Sequence, residues 1–278
     1  MTFPEEFDMH RWLSYTVVLI GAAIGNDASA QNADAVVRNV TVIDVEAGKA
    51  VPAQTVVVAG GRIVAMHAGT GNGLTATTVI DGTGKFLIPG LFDAHVHLTP
   101  SVECFGPMLI ANGVTCVRDT GAATDVIISL REQAAKGEID SPDIVCTGAI
   151  IDGDPPVWPF SEPCDTPEEA RAAVRKLNDA GVDQIKVYSL LAPEVYLAAI
   201  DEAHKVGLKV TGHIPNTVTL DEAIRAKQDC IEHMMGMEKL LSELSGDDDG
   251  ERNPIWSNFE GFLKYDKVDK AKLRERLK

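Results

Sequence analysis

The sequence has no close pair of cysteines, too few basic residues to balance its acids, and no apolar run long enough for a membrane helix. Each shortage excludes something. Five cysteines with no Cys-x-x-Cys spacing argue against a zinc ribbon, a dithiol redox motif or a disulfide framework. Cys116, Cys146 and Cys230 fall in apolar stretches that read as strands. Cys104 and Cys164 fall in or near loops, where a bridge between them is conceivable. Forty-one acidic against 25 basic residues give a formal charge of −16, the wrong sign for a nucleic-acid partner. The acidic run Asp247–Glu251 lacks the alternating ligands and closing Glu of a calcium loop and reads as a solvated loop. No glycine-rich phosphate fingerprint follows any strand, which disfavours a nucleotide-binding fold.

The longest apolar stretch, Leu13–Gly25, is 13 residues, short of the roughly 20 that span a bilayer. It follows His10 and Arg11 and precedes Ala28-Ser29-Ala30, the order of an export signal with a small-residue cleavage site. Residues 1–30 are therefore expected to be a signal peptide, with Met9 the better start because the preceding MTFPEEFD is acidic. An uncleaved anchor is the alternative. The expected location is periplasmic or secreted.

With 45% hydrophobic residues the 278-residue chain can bury a substantial core. Val-, Ile- and Thr-rich runs separated by glycine turns fill residues 31–88 and predict part of a small β-sandwich. From Pro89 the rhythm becomes strand, helix, strand, helix. Strands are expected to end at His97 and to cover Val114–Gly121, Asp143–Ile151, Asp183–Ser189, Leu208–Ile214 and Asp229–Gly236. Six βα units in series require a parallel sheet, and a barrel is favoured over a doubly wound fold. Between Asp152 and Pro167 lies a long proline-rich loop, followed by a helix capped by Thr166; Thr219 is expected to cap a later one.

In PGLFDAHVHL, His95 and His97 are two apart, so on a strand both imidazoles face the same way. His213 and His233 lie near the ends of the fifth and sixth strands, on the side where βα barrels build active sites. Lys186 sits mid-strand, where a parallel strand is buried on both faces and an unpaired ammonium is costly. It is read either as an ion pair, with Asp119 one partner, or as a neutral amine that takes up carbon dioxide as a carbamate. Arg118 is read either as holding a substrate carboxylate or, more plainly, as an ion pair with Asp119 or another barrel acid. Tyr188, on the face of Lys186, is either a hydrogen-bond donor to substrate or oxyanion, or an aromatic lid.

PGLFDAHVHL, the strand-four lysine and the two later histidines together resemble the amidohydrolase superfamily over roughly Ala35–Met237. GVTCVRDTG, GVDQIKVY and VTGHI are similar to its branch of dipeptidases acting on Xaa-Pro and related dipeptides. The resemblance implies a (β/α)8-type TIM barrel from residue 89 to 278 with a small N-terminal β-sandwich. It implies two divalent metals, zinc by default, with His95 and His97 on one, His213 and His233 on the other, and carboxylated Lys186 between them. It also implies hydrolysis of an amide or peptide C–N bond in a small substrate by a metal-bridging hydroxide. A bridging lysine favours the two-metal amide hydrolases over the single-metal deaminases.

The sequence departs from that pattern after Gly236, where strands seven and eight and the usual strand-eight aspartate have no counterpart. A (β/α)8 barrel takes about 250 residues; from Pro89 the chain offers 190. The expectation is a barrel of about six units from a longer protein, helical from Met237 onward, with Asp119 the candidate replacement base. Competing readings are a cyclic amide or lactone hydrolase with the same metals, and an inactive metal-binding protein whose open sheet edge pairs in a homo-oligomer.

Overall fold

Valine and isoleucine alternate with polar residues from Ala35 onward, and this pattern folds as strands. The computed structural model describes residues 33–246 and 265–277. The expected signal peptide and the acidic loop at Asp247–Glu251 lie outside the described residues. Strand β1 (Ala35–Asp44) pairs antiparallel with β2 (Lys49–Ala59), and β2 pairs antiparallel with β3 (Arg62–Ala68). The β2–β3 turn needs two consecutive left-handed residues, which Gly60 (φ +58°) and Gly61 (φ +71°) supply. β4 (Thr78–Asp81) and β5 (Phe86–Leu87) both run parallel to β1, completing one mixed five-stranded sheet. Val36, Val56 and Val57 are buried in it. This first unit ends at Pro89.

The second unit, from Gly90, is α/β with parallel pairing. β6 (Leu91–Val96), β7 (Val114–Asp119) and β8 (Asp143–Cys146) form one sheet in chain order. β9 (Ile150–Asp152), β11 (Gln184–Val187), β12 (Lys209–Gly212) and β13 (Cys230–Ile231) form the next, with β10 (Glu162–Pro163) on the outer side of β9. The helices between them are α1 (Val102–Ala111), α2 (Thr124–Ala135), α3 (Pro167–Asp179), α4 (Pro193–Lys205) and α5 (Leu220–Arg225). After β13 come α6 (Met237–Ser245) and a helix at Lys270–Arg276. Among the described residues no strand follows Ile231, and no helix is long and apolar enough to cross a membrane.

Local chemistry accounts for the helix starts. Thr166 accepts from the Glu169 amide while Glu169 accepts from the Thr166 amide, and Pro167 occupies the first turn. Thr219 and Glu222 repeat the same box at α5. Along α3, Ala170, Ala173, Val174 and Leu177 recur at helical spacing and bury one stripe. That stripe joins Ile185 and Val187 of β11, Val195, Tyr196 and Ile200 of α4, and Val210 of β12 in the main core. Each fully buried Ile or Val side chain contributes about 1.5–3 kcal/mol. The Tyr196 phenol, wholly buried, donates to Gln228 Oε1 at 2.7 Å, and Gln228 in turn donates to the Gly212 and Cys230 carbonyls.

Three sequence expectations need correction, and one alternative left open is decided. The third strand does not run unbroken through Ile151: it is interrupted at Thr147–Ala149, with Gly148 left-handed at φ +66°. Its first half pairs with β7 and its second with β11, so the break lets one strand serve two diverging neighbours. The proline-rich loop contains the short strand β10. The sixth strand stops at Ile231 and gives way to a 3₁₀ turn at Glu232–Met234. Finally, Cys104 and Cys164 are both free: Cys104 is exposed on α1 while Cys164 is buried after β10.

Candidate metal centre

β6 delivers His95 and, just past its end, His97, with ring centroids 5.4 Å apart. His213 follows β12 by one residue, and His233 lies in the turn after β13. The His233 ring stands 4.7 Å from that of His95 and 5.1 Å from that of His213, so the four histidines form one contiguous cluster. Lys186 lies at the same level in β11, 1% exposed, its Nζ 5.7 Å from the Tyr188 ring centroid. Tyr188 in turn stacks on His213 at 4.0 Å.

The ring of His233 reaches the cluster only because its backbone is left-handed (φ 56°). In a continuing strand Glu232 and His233 would point to opposite faces. The turn brings both inward, at a conformational cost of about 1–3 kcal/mol for a non-glycine residue.

Three of the rings have Nδ1 engaged by the protein. His97 Nδ1 lies 3.1 Å from the Gly121 carbonyl, His213 Nδ1 2.8 Å from Ser189 Oγ, and His95 Nδ1 2.6 Å from Glu232 Oε2. A carbonyl and a carboxylate can only accept, so His97 and His95 carry their protons on Nδ1 and keep the Nε2 lone pair free. Burial, then the Lys186 charge and the neighbouring rings, hold the His213 pKa down at about 3. Burial also lowers His97 and His233. His97, His213 and His233 are thus held as neutral donors at pH 7. Among the described residues no three His, Cys, Asp or Glu side chains are yet converged closely enough to share an ion. The donor set nonetheless fits divalent metals: four imidazoles, with Nε2 available on His95 and His97, around a buried amine.

Burial pushes the Lys186 pKa from 10.5 to about 8, against the charges of Glu232 and Asp119. No ion pair with Asp119 forms. Asp119, wholly buried, accepts the Leu98 amide on Oδ2 (2.7 Å) and the Gly121 amide on Oδ1 (3.1 Å). With both oxygens committed to the backbone it is a poor substitute base. It holds the chain after β6 and after β7, and so supports His97 from both sides.

Residues 86–250, more than half of the chain, match the amidohydrolase family model. The chain belongs to the amidohydrolase family. An adenine deaminase of Rhizobium meliloti is 31% identical over 108 residues, which are 37% of this chain and 18% of the deaminase. A solved structure assigned as a prolidase from Bifidobacterium longum is 30% identical over 69% of this chain and 51% of that one, with a TM-score of 0.57. An Xaa-Pro dipeptidase crystallised with methionine in its active site is 19% identical, covers 87% of this chain and 77% of its own, and has a TM-score of 0.61. At that identity the likeness concerns the fold alone. This amidohydrolase therefore spans about half the length of the Bifidobacterium protein and less than a fifth of the Rhizobium one.

Glu232 is the site residue that sequence reasoning missed. Only 6% exposed, it takes the His95 ring on Oε2 and Arg118 Nη2 on Oε1 at 2.6 Å, and Thr211 Oγ1 donates to Oε1 as well. Burial opposes its ionisation, but the hydrogen bonds from His95 and Thr211 and the charge of Arg118 outweigh that and hold its pKa at about 2. Arg118 therefore pairs with Glu232, not with Asp119. As consecutive residues of β7, Arg118 and Asp119 face opposite ways. Arg118 also donates to the Ala94 carbonyl at 2.7 Å, which leaves it poorly placed to hold a substrate carboxylate. The signal for Glu232 was present: a carboxylate at the end of a parallel strand is as anomalous as Lys186.

Proposed function

We propose that this amidohydrolase is an exported, metal-dependent hydrolase of a C–N bond in a small substrate such as a dipeptide. Its parallel sheets are read as six βα units of a (β/α)8-type barrel. His95, His97, His213 and His233 would hold two divalent ions, most simply Zn2+, with Lys186 bridging them as a carbamate. The observation that carries this reading is the fully buried Lys186 amine in a cluster with four histidines.

With a pKa of about 8, roughly a tenth of the Lys186 amines are neutral at pH 7. A neutral Nζ can bond to the carbon of CO2, and loss of one proton leaves two carbamate oxygens as ligands. Divalent ions bound there would acidify a water toward neutral pKa and polarise the scissile carbonyl. Asp119, Gly121 and Glu232 keep His97 and His95 in the required tautomer. The Tyr188 hydroxyl accepts the Trp158 indole N–H at 3.1 Å, so its own proton remains free to donate to the carbonyl oxygen as negative charge develops.

The test is a substrate panel run with metal-loaded and chelator-treated protein, with metal content and 13CO2 uptake measured in parallel. Xaa-Pro and other dipeptides, adenine, cyclic imides and lactones belong in it. Metal-dependent dipeptide hydrolysis with two ions per chain is expected. Adenine turnover alone would move the substrate to the amidine class of the Rhizobium relative. Protein that binds no metal would end the reading.

A further inference from the structure

The loop between β9 and α3 is built to present one side chain. Asp152, fully buried, accepts the Leu190 amide on Oδ1 (2.8 Å) and the Val157 amide on Oδ2 (3.0 Å), and its carbonyl accepts the Cys164 amide. Asp165 takes the Asp154 amide, and the Ser161 amide donates to the Trp158 carbonyl. The loop is thereby tied at both ends and across its middle. At its tip Trp158 is 45% exposed, a large apolar surface for a well-anchored residue.

Trp158 is also tied to the metal centre. Its ring stacks on Phe160 at 6.1 Å and 18°. Phe160 lies over Gly121, where an added Cβ would come within 3.6 Å of its ring, and the Gly121 carbonyl takes His97 Nδ1. The Trp158 N–H donates to Tyr188, whose ring stacks on His213. The indole is thus set against Phe160 and held at its N–H by Tyr188, two residues that border the histidine cluster, while 45% of Trp158 stays exposed.

We propose that Trp158 is a specificity-determining residue, whose exposed surface receives an apolar side chain of the substrate next to the scissile bond. The substrate class is then small amides carrying a large aliphatic or aromatic side chain, in preference to glycyl or charged ones. This rests on the proposed C–N hydrolysis. The same residue sets the direction of the Tyr188 proton, because an indole N–H can only donate and so makes the phenol oxygen the acceptor.

Two variants separate these contributions. Trp158→Ala removes the wall, whereas Trp158→Phe keeps a smaller apolar ring and removes the N–H. Using metal-loaded protein and dipeptides that differ in one side chain (Gly, Leu, Phe), Trp158→Ala should lower kcat/KM for Leu and Phe about 10-fold or more relative to Gly. Trp158→Phe should keep the Leu and Phe preference and lower kcat about fivefold for all three, an effect that disappears in a Tyr188→Phe background. A second readout needs no turnover: intrinsic fluorescence titrated with free leucine, phenylalanine and glycine. Saturable changes with the first two, absent in Trp158→Phe, support the subsite. Equal losses for all substrates in Trp158→Ala, or titrations indifferent to side chain, would overturn it. If wild-type protein hydrolyses none of the peptides yet shows the selective titration, the proposed activity fails and the subsite stands.

Discussion

His95 and Glu232 meet across 2.6 Å, joining the first strand of the second unit to the turn after its last described strand. The pair closes a link between residues 137 positions apart, and Arg118 of β7 and Thr211 of β12 also donate to the carboxylate. Removing Glu232 would leave the largely covered Arg118 guanidinium, its side chain 11% exposed, without its counter-charge. Glu232→Ala is expected to cost about 3–5 kcal/mol in denaturant unfolding and 10- to 100-fold in metal affinity by chelator competition. Glu232→Gln retains an acceptor for His95 and should lose less of both. Unchanged metal affinity in Glu232→Ala would show that the His95 tautomer does not depend on it.

The same carboxylate makes an acid-side prediction. With its folded pKa at about 2 and an ordinary unfolded value near 4.3, Glu232 binds its proton later in the folded state. Its contribution to stability is complete above the unfolded value and is lost as pH falls through about 2. Metal-free wild-type protein should therefore lose stability between about pH 5 and 2 more steeply than Glu232→Gln, as read by urea melts across that range.

Lys186 gives a slope of the same sign in a higher pH window, as a penalty relieved and not a gain acquired. Its folded pKa of about 8 lies below the unfolded value of about 10.4, so the unfolded chain holds more protons between them and stability rises with pH across that window. Lys186→Met removes the buried amine, so in metal-free protein it should flatten this rise and raise stability at pH 7 by about 1–3 kcal/mol. It should also reduce bound metal from two ions per chain to one or none and abolish 13CO2 uptake. Two ions retained in Lys186→Met would remove the lysine from the ligand set.

Asp229 provides a control away from the centre. It accepts Lys209 Nζ (2.7 Å), the Val210 amide (2.9 Å) and His204 Nε2 (2.9 Å), joining α4, β12 and the entry to β13. Burial opposes its ionisation, yet these bonds together hold its pKa below the ordinary carboxylate value. Asp229→Ala should cost about 1–3 kcal/mol, with the wild-type advantage shrinking as pH falls below about 4, and should leave metal affinity unchanged.

Thr166→Ala tests a purely local element. Loss of the capping box on α3 should cost about 1 kcal/mol, visible as a shift in the urea midpoint without a change in m-value or metal content.

Much of the fold was legible because its causes are local. The Thr166 and Thr219 boxes mark helix starts by the reach of one side chain to the third amide beyond it, and the Ala170–Leu177 stripe marks the face α3 buries. The parallel order followed from strand–helix alternation, and the cluster of His95, His97, His213 and His233 with Lys186 followed from where those residues fall on the strands. The break at Thr147–Ala149 and the early end of β13 were not legible, since each depends on where a neighbouring strand lies.

The sequence by itself determined which residues could become ligands and on which elements they stand, because side-chain period and helix capping act over a few residues. Tertiary structure decided the partners. Arg118 took Glu232 rather than Asp119, Asp119 took two backbone amides, Lys186 was left without an ion pair, and a left-handed turn swung His233 inward. Those choices belong to charges buried together from distant parts of the chain. Each such charge is costly unless solvated, so which acid meets which base is fixed only when the strands close around them.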